Sequence, residues 1–230
     1  SVGGYHAAKL RRYQEMIEEH ISGEMSGLFK AVADAGGDME LLNSADFPVL
    51  NMLNTRYFIF PLQGGQTVPL DNPFALGNAW FVNEVEYVNN ANEEIAAIHG
   101  LDPIQKAIVD KRFEAQVKPM PADSTATISL LAYEPNYLKY EVNTEKGGTV
   151  VFSEIYYPGW QSTIDGEEAP HGRANYILRA MNVPAGKHVV EFKFDPTSLH
   201  VTENIAFISL GLLALLAIIT IIMKFKKNKV

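Results

Sequence analysis

Cysteine is missing from all 230 positions of the sequence. A chain without thiols forms no disulfide, no thiolate metal site and no cysteine nucleophile. Basic residues are outnumbered, 19 Lys and Arg against 27 Asp and Glu, and the formal charge of −8 argues against nucleic acid as a partner. The six histidines lack paired zinc-ligand spacing, and no GxSxG, P-loop or dinucleotide motif occurs. These absences predict no cofactor, no metal site and no catalytic residue.

The C-terminal end has the composition of a membrane anchor. From Ile205 to Met223 run 19 residues of which only Ser209 and Thr220 are polar. At ~1.5 Å per residue such a helix spans about 28 Å, close to the ~30 Å hydrocarbon core of a bilayer. Its length and the basic residues that follow favour a spanning segment over the alternative of a buried helix in a soluble protein. We therefore expect the lipid bilayer as a partner and a transmembrane helix over residues 205–223.

The charge distribution predicts the orientation of this helix. Four lysines follow it in a tail over residues 224–230, at positions 224, 226, 227 and 229. The positive-inside bias places this tail in the cytoplasm and residues 1–204 outside. Because the chain starts at Ser1 without an apolar signal, the simplest interpretation is the C-terminal end of a longer polytopic protein, whose missing N-terminal membrane domain would be a partner. A tail-anchored protein, with the folded part in the cytoplasm, is the alternative.

The part before the helix divides by pattern at a proline-rich connector, Val117 to Ala122. We predict a mixed α/β region over residues 1–118 and a small antiparallel, jelly-roll-like β-sandwich over residues 122–200. The fold class is therefore α+β with one C-terminal transmembrane helix.

Within the first region, apolar residues at helical spacing predict a helix that ends near Gly23. Its apolar face comprises Leu10, Tyr13, Ile17 and Ile21, and its polar face Lys9, Arg11, Arg12, Glu15 and Glu18. Further along, the pattern predicts a buried strand over 57–60, a turn at Gly64-Gly65, a bulged strand over 79–88 and a helix capped by Asn90 or Asn92 that stops at Gly100.

Short alternating segments after the connector predict the strands of the sandwich. They are Ala126–Ala132, Tyr137–Asn143, Thr149–Tyr156, Gln161–Ile164, Tyr176–Ala180 and His188–Phe194. Turn residues such as Asp165-Gly166 separate them.

Several of these segments resemble the YfhO family of bacterial membrane proteins. The similarity is carried by YYPGW at 156–160, DG at 165–166, RANY at 173–176 and VPAG at 183–186. Segments 3–11 and 50–57 are also similar to the family's pattern, so that the similarity covers nearly the whole chain. The resemblance implies a large polytopic protein of the bacterial cytoplasmic membrane, with the fold of lipid-linked-sugar glycosyltransferases and an outer β-rich domain before its last span. The catalytic acid of such enzymes lies on an early outer loop, which these residues do not include.

The candidate ligand residues combine aromatic rings with charged groups near this motif. They are Tyr157, Trp160, Asp165, Arg173, Tyr176 and Arg179. Aromatic faces stack on sugar rings, and Arg or Asp can hydrogen-bond hydroxyl or phosphate groups. With the resemblance, they predict an accessory region that helps hold an envelope glycan or a lipid-linked sugar.

Two alternatives remain open on the sequence. In the first, the sandwich is purely structural or binds a partner, with Trp160 and Tyr176 filling its core and Arg173 paired with Asp165 or securing a loop. In the second, the chain is a hydrolase on a single-span anchor with Glu167-Glu168 as its carboxylates. Adjacent residues on a turn point in different directions, whereas glycoside hydrolysis needs two carboxylates held ~5–9.5 Å apart.

Overall fold

A computed structural model describes residues 10–61, 64–121 and 123–227, with side chains up to residue 224. The first part of the chain contains α1 (Arg11–Met16), a π-helical segment (Ile17–Ile21), α2 (Ser22–Asp34), α3 (Pro48–Met52), β1 (Tyr57–Pro61), β2 (Thr67–Asp71), β3 (Ala79–Val82), β4 (Glu84–Val88), α4 (Ala91–Ala96) and β5 (Lys106–Asp110). Three-residue 3-10 turns lie at Met39–Leu41, Ser44–Asp46 and Lys111–Phe113.

The first helix is longer than predicted, because α1, the π-helical segment and α2 are continuous to Asp34. The predicted end at Gly23 is wrong. Leu28 and Val32 are buried in the core beyond it, and their burial outweighs the ~1 kcal/mol that an internal glycine costs a helix. The apolar face is also shifted from the predicted one, since Met16 is buried whereas Leu10 is exposed.

The polar face of the first helix is only partly solvated. Arg12 and Glu15 contact buried groups of other elements, whereas Lys9 lies outside the described residues.

A hairpin follows, in which β1 pairs antiparallel with β2 around the turn containing Gly64 and Gly65. Both glycines have positive φ, 84° and 78°, which confirms the predicted turn. The predicted strand is present, but the prediction that it is buried is wrong. Only Phe58 of β1 is buried, because β2 is the only strand paired with β1 among the described residues.

The predicted bulged strand over 79–88 is two strands in different sheets. β3 pairs antiparallel with β8, and β4 pairs parallel with β5. The strand is interrupted at Asn83, so that β3 pairs with β8 and β4 pairs with β5. The helix predicted after it and its cap are confirmed, because Asn90 accepts hydrogen bonds from the backbone N–H groups of Asn92 and Glu93. The helix ends at Ala96, before the predicted stop at Gly100, which has φ of 71°.

The second part forms two antiparallel sheets. Its strands are β6 (Thr127–Glu134), β7 (Tyr137–Thr144), β8 (Gly148–Ile155), β9 (Trp160–Ile164), β10 (Glu167–Glu168), β11 (Gly172–Ala174), β12 (Leu178–Val183) and β13 (Gly186–Phe194). The sheet orders are β10-β9-β13-β7-β6 and β11-β12-β8-β3. One apolar cluster, including Tyr140, Phe152, Met181 and Phe192, joins residues of both sheets. The mixed α+β class is thus confirmed, and the shared cluster fits the sandwich arrangement.

Five predicted strands agree with the structure within about two residues at each end. The predicted strand from Tyr176 begins instead at Leu178, because Asn175 and Tyr176 have positive φ values of 48° and 71°. The short strands β10 and β11 were not predicted, since two or three residues carry no measurable alternation.

The two parts share structure. β3, from the first part, is the edge strand of a sandwich sheet. One hydrophobic cluster contains Leu50 and Ile108 from the first part and Val151 and Leu178 from the second. The connector is also held in place by two hydrogen bonds. The Thr149 backbone N–H donates to the Met120 carbonyl, and the Met120 backbone N–H donates to the Thr149 hydroxyl group. Its last predicted residue, Ala122, lies outside the described residues.

The chain ends in α5 (Thr197–Lys227), which contains one candidate membrane span, Thr197–Lys224. None of the most apolar stretch of this span is buried against the rest of the chain. This confirms one C-terminal apolar helix long enough to cross a bilayer. The last three residues, including Lys229, lie outside the described residues.

Candidate functional site

The six predicted ligand residues occupy three separate places. Arg173 and Tyr176 lie against the first part of the chain, Asp165 lies in the turn between β9 and β10, and Tyr157, Trp160 and Arg179 lie near the start of α5. The sequence had grouped them by proximity along the chain. Strand pairing sets Arg173 opposite Arg179, but the two side chains engage different groups, Glu94 and Trp160.

Arg173 belongs to a group of charges that we call the charged junction, formed by Arg12, Glu94, Asp110, Arg112 and Arg173. Glu94, Asp110 and Arg173 are buried, whereas Arg12 is partly exposed and Arg112 is exposed. Arg173 Nη2 lies 2.9 Å from Glu94 Oε2 and 3.6 Å from Asp110 Oδ2. Arg12 Nη1 reaches the same Glu94 oxygen at 3.0 Å. Arg112 forms a bidentate pair with Asp110, which lowers the pKa of that carboxyl group. The suggested pairing of Arg173 with Asp165 is therefore wrong.

Tyr176 extends the charged junction toward the first helix. Its hydroxyl group donates to the Glu15 carboxylate, and the Arg12 guanidinium lies 4.4 Å from the centre of its ring. Burial, and then the hydrogen bond to Glu15, raise the pKa of Tyr176 to about 12. Next to it, Asn175 exchanges hydrogen bonds with the backbone of Ile108 in β5. This turn therefore fixes the sandwich to the first part, and Tyr176 packs in the shared cluster instead of the sandwich core.

Asp165 shapes a turn. It has a φ of 53°, and its carboxylate accepts from the Val189 backbone N–H at 2.8 Å and pairs with His188 Nδ1 at 2.6 Å. These bonds, the backbone one first, lower the pKa of Asp165. Both oxygens are engaged within the protein.

Tyr157 and Trp160 line a depression that we call the Trp160 pocket. It has a volume of about 430 Å³ and is lined by residues 156–163 with Gly166, Glu168, Pro170 and His171. Tyr157 is an exposed aromatic side chain, while Trp160 is half-buried and packs at a tilt on Phe194, with 5.5 Å between ring centres. The pocket thus combines aromatic surface with the polar groups of Gln161, Thr163 and Glu168.

The Trp160 pocket is attached to the start of the membrane helix. The Asp195 backbone N–H donates to the Gly159 carbonyl at 2.9 Å, one residue before Pro196 and two before α5. Gly159 has φ of 101°, and a Cβ atom there would lie 2.9 Å from Pro196 Cβ. Only glycine fits this contact. The YYPGW loop is therefore locked against the base of α5.

Arg179 is 2% exposed and lies under Trp160, with its guanidinium carbon 4.0 Å from the centre of a Trp160 ring. Its Nε donates to the Ile155 carbonyl, but Nη1 is buried without a hydrogen-bond partner among the described residues. The hydroxyl group of Tyr140 is also buried without a hydrogen-bond partner among the described residues. Burial lowers the pKa of Arg179 to about 10. This arginine also lines a second depression of about 300 Å³ with Glu154, Tyr157 and Trp160.

Sequence reasoning missed His171 at the Trp160 pocket and Glu94, Asp110 and Arg112 in the charged junction. His171 lines the Trp160 pocket, with its Nδ1 2.8 Å from Ser162 Oγ. Glu94 is fully buried at the centre of the charged junction. The sequence could have indicated Glu94, because it comes directly before Ile95 on the predicted helix.

Other chemistry finds little support in the described ranges 10–61, 64–121 and 123–227. They contain no group of three or more His, Asp or Glu residues placed to hold a metal ion. Glu167 and Glu168 are consecutive, exposed residues of β10. Consecutive strand residues point to opposite faces of a sheet, so these two carboxylates do not form a glycosidase pair.

A β-rich region joined directly to an exposed apolar helix of spanning length is the architecture of a membrane protein. The model of a family described as "Bacterial membrane protein YfhO" matches residues 116–209, which include the sandwich strands β6 to β13 and the first turns of α5. This match confirms the resemblance to the YfhO family over those residues. No curated protein and no solved structure matches the chain.

Proposed function

We propose that the chain is an accessory region of a bacterial membrane protein that holds a saccharide in the Trp160 pocket, outside the cytoplasmic membrane. In a parent protein like the lipid-linked-sugar glycosyltransferases that the YfhO resemblance implies, this saccharide is the sugar of the lipid carrier or the envelope glycan that receives it. The residues themselves supply binding and no catalysis. The four lysines that follow the apolar run Ile205–Met223 in the sequence support the cytoplasmic position of the C-terminus.

The attachment of the Trp160 pocket to the base of α5 is the observation that carries this proposal. The hydrogen bond between Asp195 and Gly159 ties the pocket to the helix two residues before it begins. From Thr197 to the start of the apolar run at Ile205 the helix rises by ~12 Å. A ligand in the pocket is then within reach of the headgroup region, where the sugar of a membrane-embedded carrier would lie.

The lining of the pocket supports a sugar ring as the ligand. Trp160 and Tyr157 offer aromatic surface, and Gln161, Thr163 and Glu168 offer hydrogen-bonding groups around it. Pockets that recognise small molecules combine apolar walls with a few placed polar groups in this manner. No Lys or Arg lines the pocket.

The competing function is a purely structural or partner-binding sandwich. It is favoured by the charged junction, where Arg173 and Tyr176 are engaged in internal contacts, and by the Arg179 guanidinium that stacks on Trp160. In that case the pocket would be a by-product of packing at the helix base.

Binding of neutral saccharides to the 230-residue chain in lipid nanodiscs separates the two functions. The probes are the methyl glycosides of glucose, galactose, mannose and N-acetylglucosamine, measured by saturation-transfer NMR and calorimetry. We expect binding that weakens about tenfold in Trp160→Ala and less in Tyr157→Ala, since an aromatic contact contributes ~0.5–1.5 kcal/mol beyond its buried area. Tyr57→Ala is the control, because Tyr57 is also an exposed tyrosine and lies outside the pocket. Undetectable binding of all four probes would favour the structural alternative.

A further inference from the structure

His171 lines the Trp160 pocket, and one of its two ring nitrogens is engaged in a hydrogen bond among the described residues. Nδ1 lies 2.8 Å from Ser162 Oγ, and Ser162 Oγ lies 2.6 Å from the Ala169 carbonyl oxygen. Within the part of the chain that the structure describes, Nε2 has no hydrogen-bond partner. The ring is held edge-on by Tyr156 and Phe192, with 5.6 and 5.2 Å between ring centres.

These contacts assign the proton on the His171 ring. A carbonyl oxygen only accepts, so the single proton of the Ser162 hydroxyl group is donated to Ala169. The Ser162 oxygen then acts as an acceptor toward His171, and Nδ1 must carry the proton. In a neutral ring the other nitrogen, Nε2, therefore has a free lone pair.

The surroundings keep the ring neutral. Burial, and to a smaller extent the positive charge of Arg179, lower the pKa of His171 to about 4. At neutral pH the pocket therefore contains an acceptor that is fixed by a seryl hydroxyl group behind it and by aromatic rings beside it. Such an acceptor is matched by a hydroxyl donor from a ligand.

The charges of the lining select against an anion. Glu168 is the only charged side chain among the residues that line the pocket. A phosphate group would meet this carboxylate and a lone pair on His171, and the Arg179 guanidinium, which lies against Trp160, does not line the pocket. The lining thus favours an uncharged ring bearing hydroxyl groups.

We propose that His171 Nε2 accepts a hydrogen bond from one hydroxyl group of an uncharged saccharide ring that packs against Trp160, and thereby selects the orientation of that ring. The proposal rests on the proposed function of the pocket and identifies the part of the ligand that it recognises. In a lipid-linked sugar, the phosphate would then lie outside the pocket.

The test pairs the removal of one hydroxyl group from the ligand with the removal of the acceptor. The probe is whichever of the four methyl glycosides binds most tightly, with its set of monodeoxy derivatives, titrated against the full chain and against His171→Phe in nanodiscs. We expect one derivative to bind the unaltered chain about three- to tenfold more weakly than its parent, the range of one neutral hydrogen bond. In His171→Phe the same two ligands should bind equally. The 6-phosphate of the probe sugar should bind more weakly than the neutral glycoside.

A second measurement does not depend on any variant. Nitrogen-15 NMR of the histidine rings in the unaltered chain should show His171 protonated on Nδ1, and the Nε2 signal should move when the glycoside binds. Binding that Trp160→Ala abolishes, but whose deoxy pattern is the same in His171→Phe and whose Nε2 signal does not move, would overturn this inference and leave the proposed function intact. Failure of all four glycosides to bind would overturn both.

Discussion

The charged junction and the neighbourhood of the Trp160 pocket each contain a buried arginine. Arg173 in β11 and Arg179 in β12 are register partners on neighbouring strands, and Arg179 lies against Trp160 without lining the pocket. Arg173 meets two carboxylates within the protein, whereas Arg179 leaves one guanidinium nitrogen buried and unpaired among the described residues. Buried polar groups in folded proteins are nearly always hydrogen-bonded. The comparison therefore separates an arginine that holds the structure together from one that lies beside a candidate binding site.

The largest expected effect is the loss of Arg173. Arg173→Met leaves the fully buried Glu94 with Arg12 as its remaining basic partner, and breaking a buried ion pair from one side costs ~3–5 kcal/mol. We expect the free energy of unfolding, measured by denaturant titration of the chain in detergent micelles, to fall by about that amount. The double variant Arg173→Met/Glu94→Gln should recover part of it. A loss below about 1 kcal/mol would contradict the structural role of the charged junction.

We expect acid to lower the free energy of unfolding through protonation of His171 at the Trp160 pocket. The folded-state pKa is about 4, below the usual 6.5, so the unfolded chain binds a proton first as the pH falls. This contribution to stability is present above pH 6.5 and is lost as the pH falls toward 4, by on the order of 2 kcal/mol. The difference in the free energy of unfolding between the unaltered chain and His171→Phe, measured from pH 7 to 4, should show this change. A pH-independent difference would indicate that the ring is not neutral and buried as described.

The smallest expected effect is the loss of Arg179. Arg179→Met removes one hydrogen bond and the contact with Trp160 but also removes a buried, incompletely paired charge. Burying an incompletely paired charge costs free energy, so its removal offsets the loss of those contacts. We expect a change within about 1 kcal/mol in the same unfolding assay, far below that of Arg173→Met. An equal loss in both variants would remove the distinction between the two sites.

Local patterns predicted the parts of the fold that depend on local composition. The membrane helix follows from one apolar run, and five sandwich strands follow from alternation and turn residues. The helix past Gly23 and the split at Asn83 were missed, because both depend on partners distant in sequence. Leu28 packs in a core built from several elements, and β3 and β4 are directed by β8 and β5.

The candidate site was predictable only in its aromatic part. Tyr157 and Trp160 line one pocket as their motif suggested, and their role in binding a sugar stays a prediction. Arg173 could not be assigned to Glu94, because 79 residues separate them and no local pattern connects a helix with a distant strand. His171 is a single histidine in a loop, and its importance depends on Ser162, which reaches it through strand pairing.

The strand that the first part contributes to the sandwich has a practical consequence for protein production. A recombinant piece cut to the family-matched residues 116–209 would lack β3, whose register partners on β8 run from Thr149 to Phe152. The backbone groups of β8 would then form an unpaired sheet edge that can pair with β-strands of other molecules, which is a common cause of aggregation. Soluble expression of this sandwich therefore calls for cloning boundaries that retain the upstream residues.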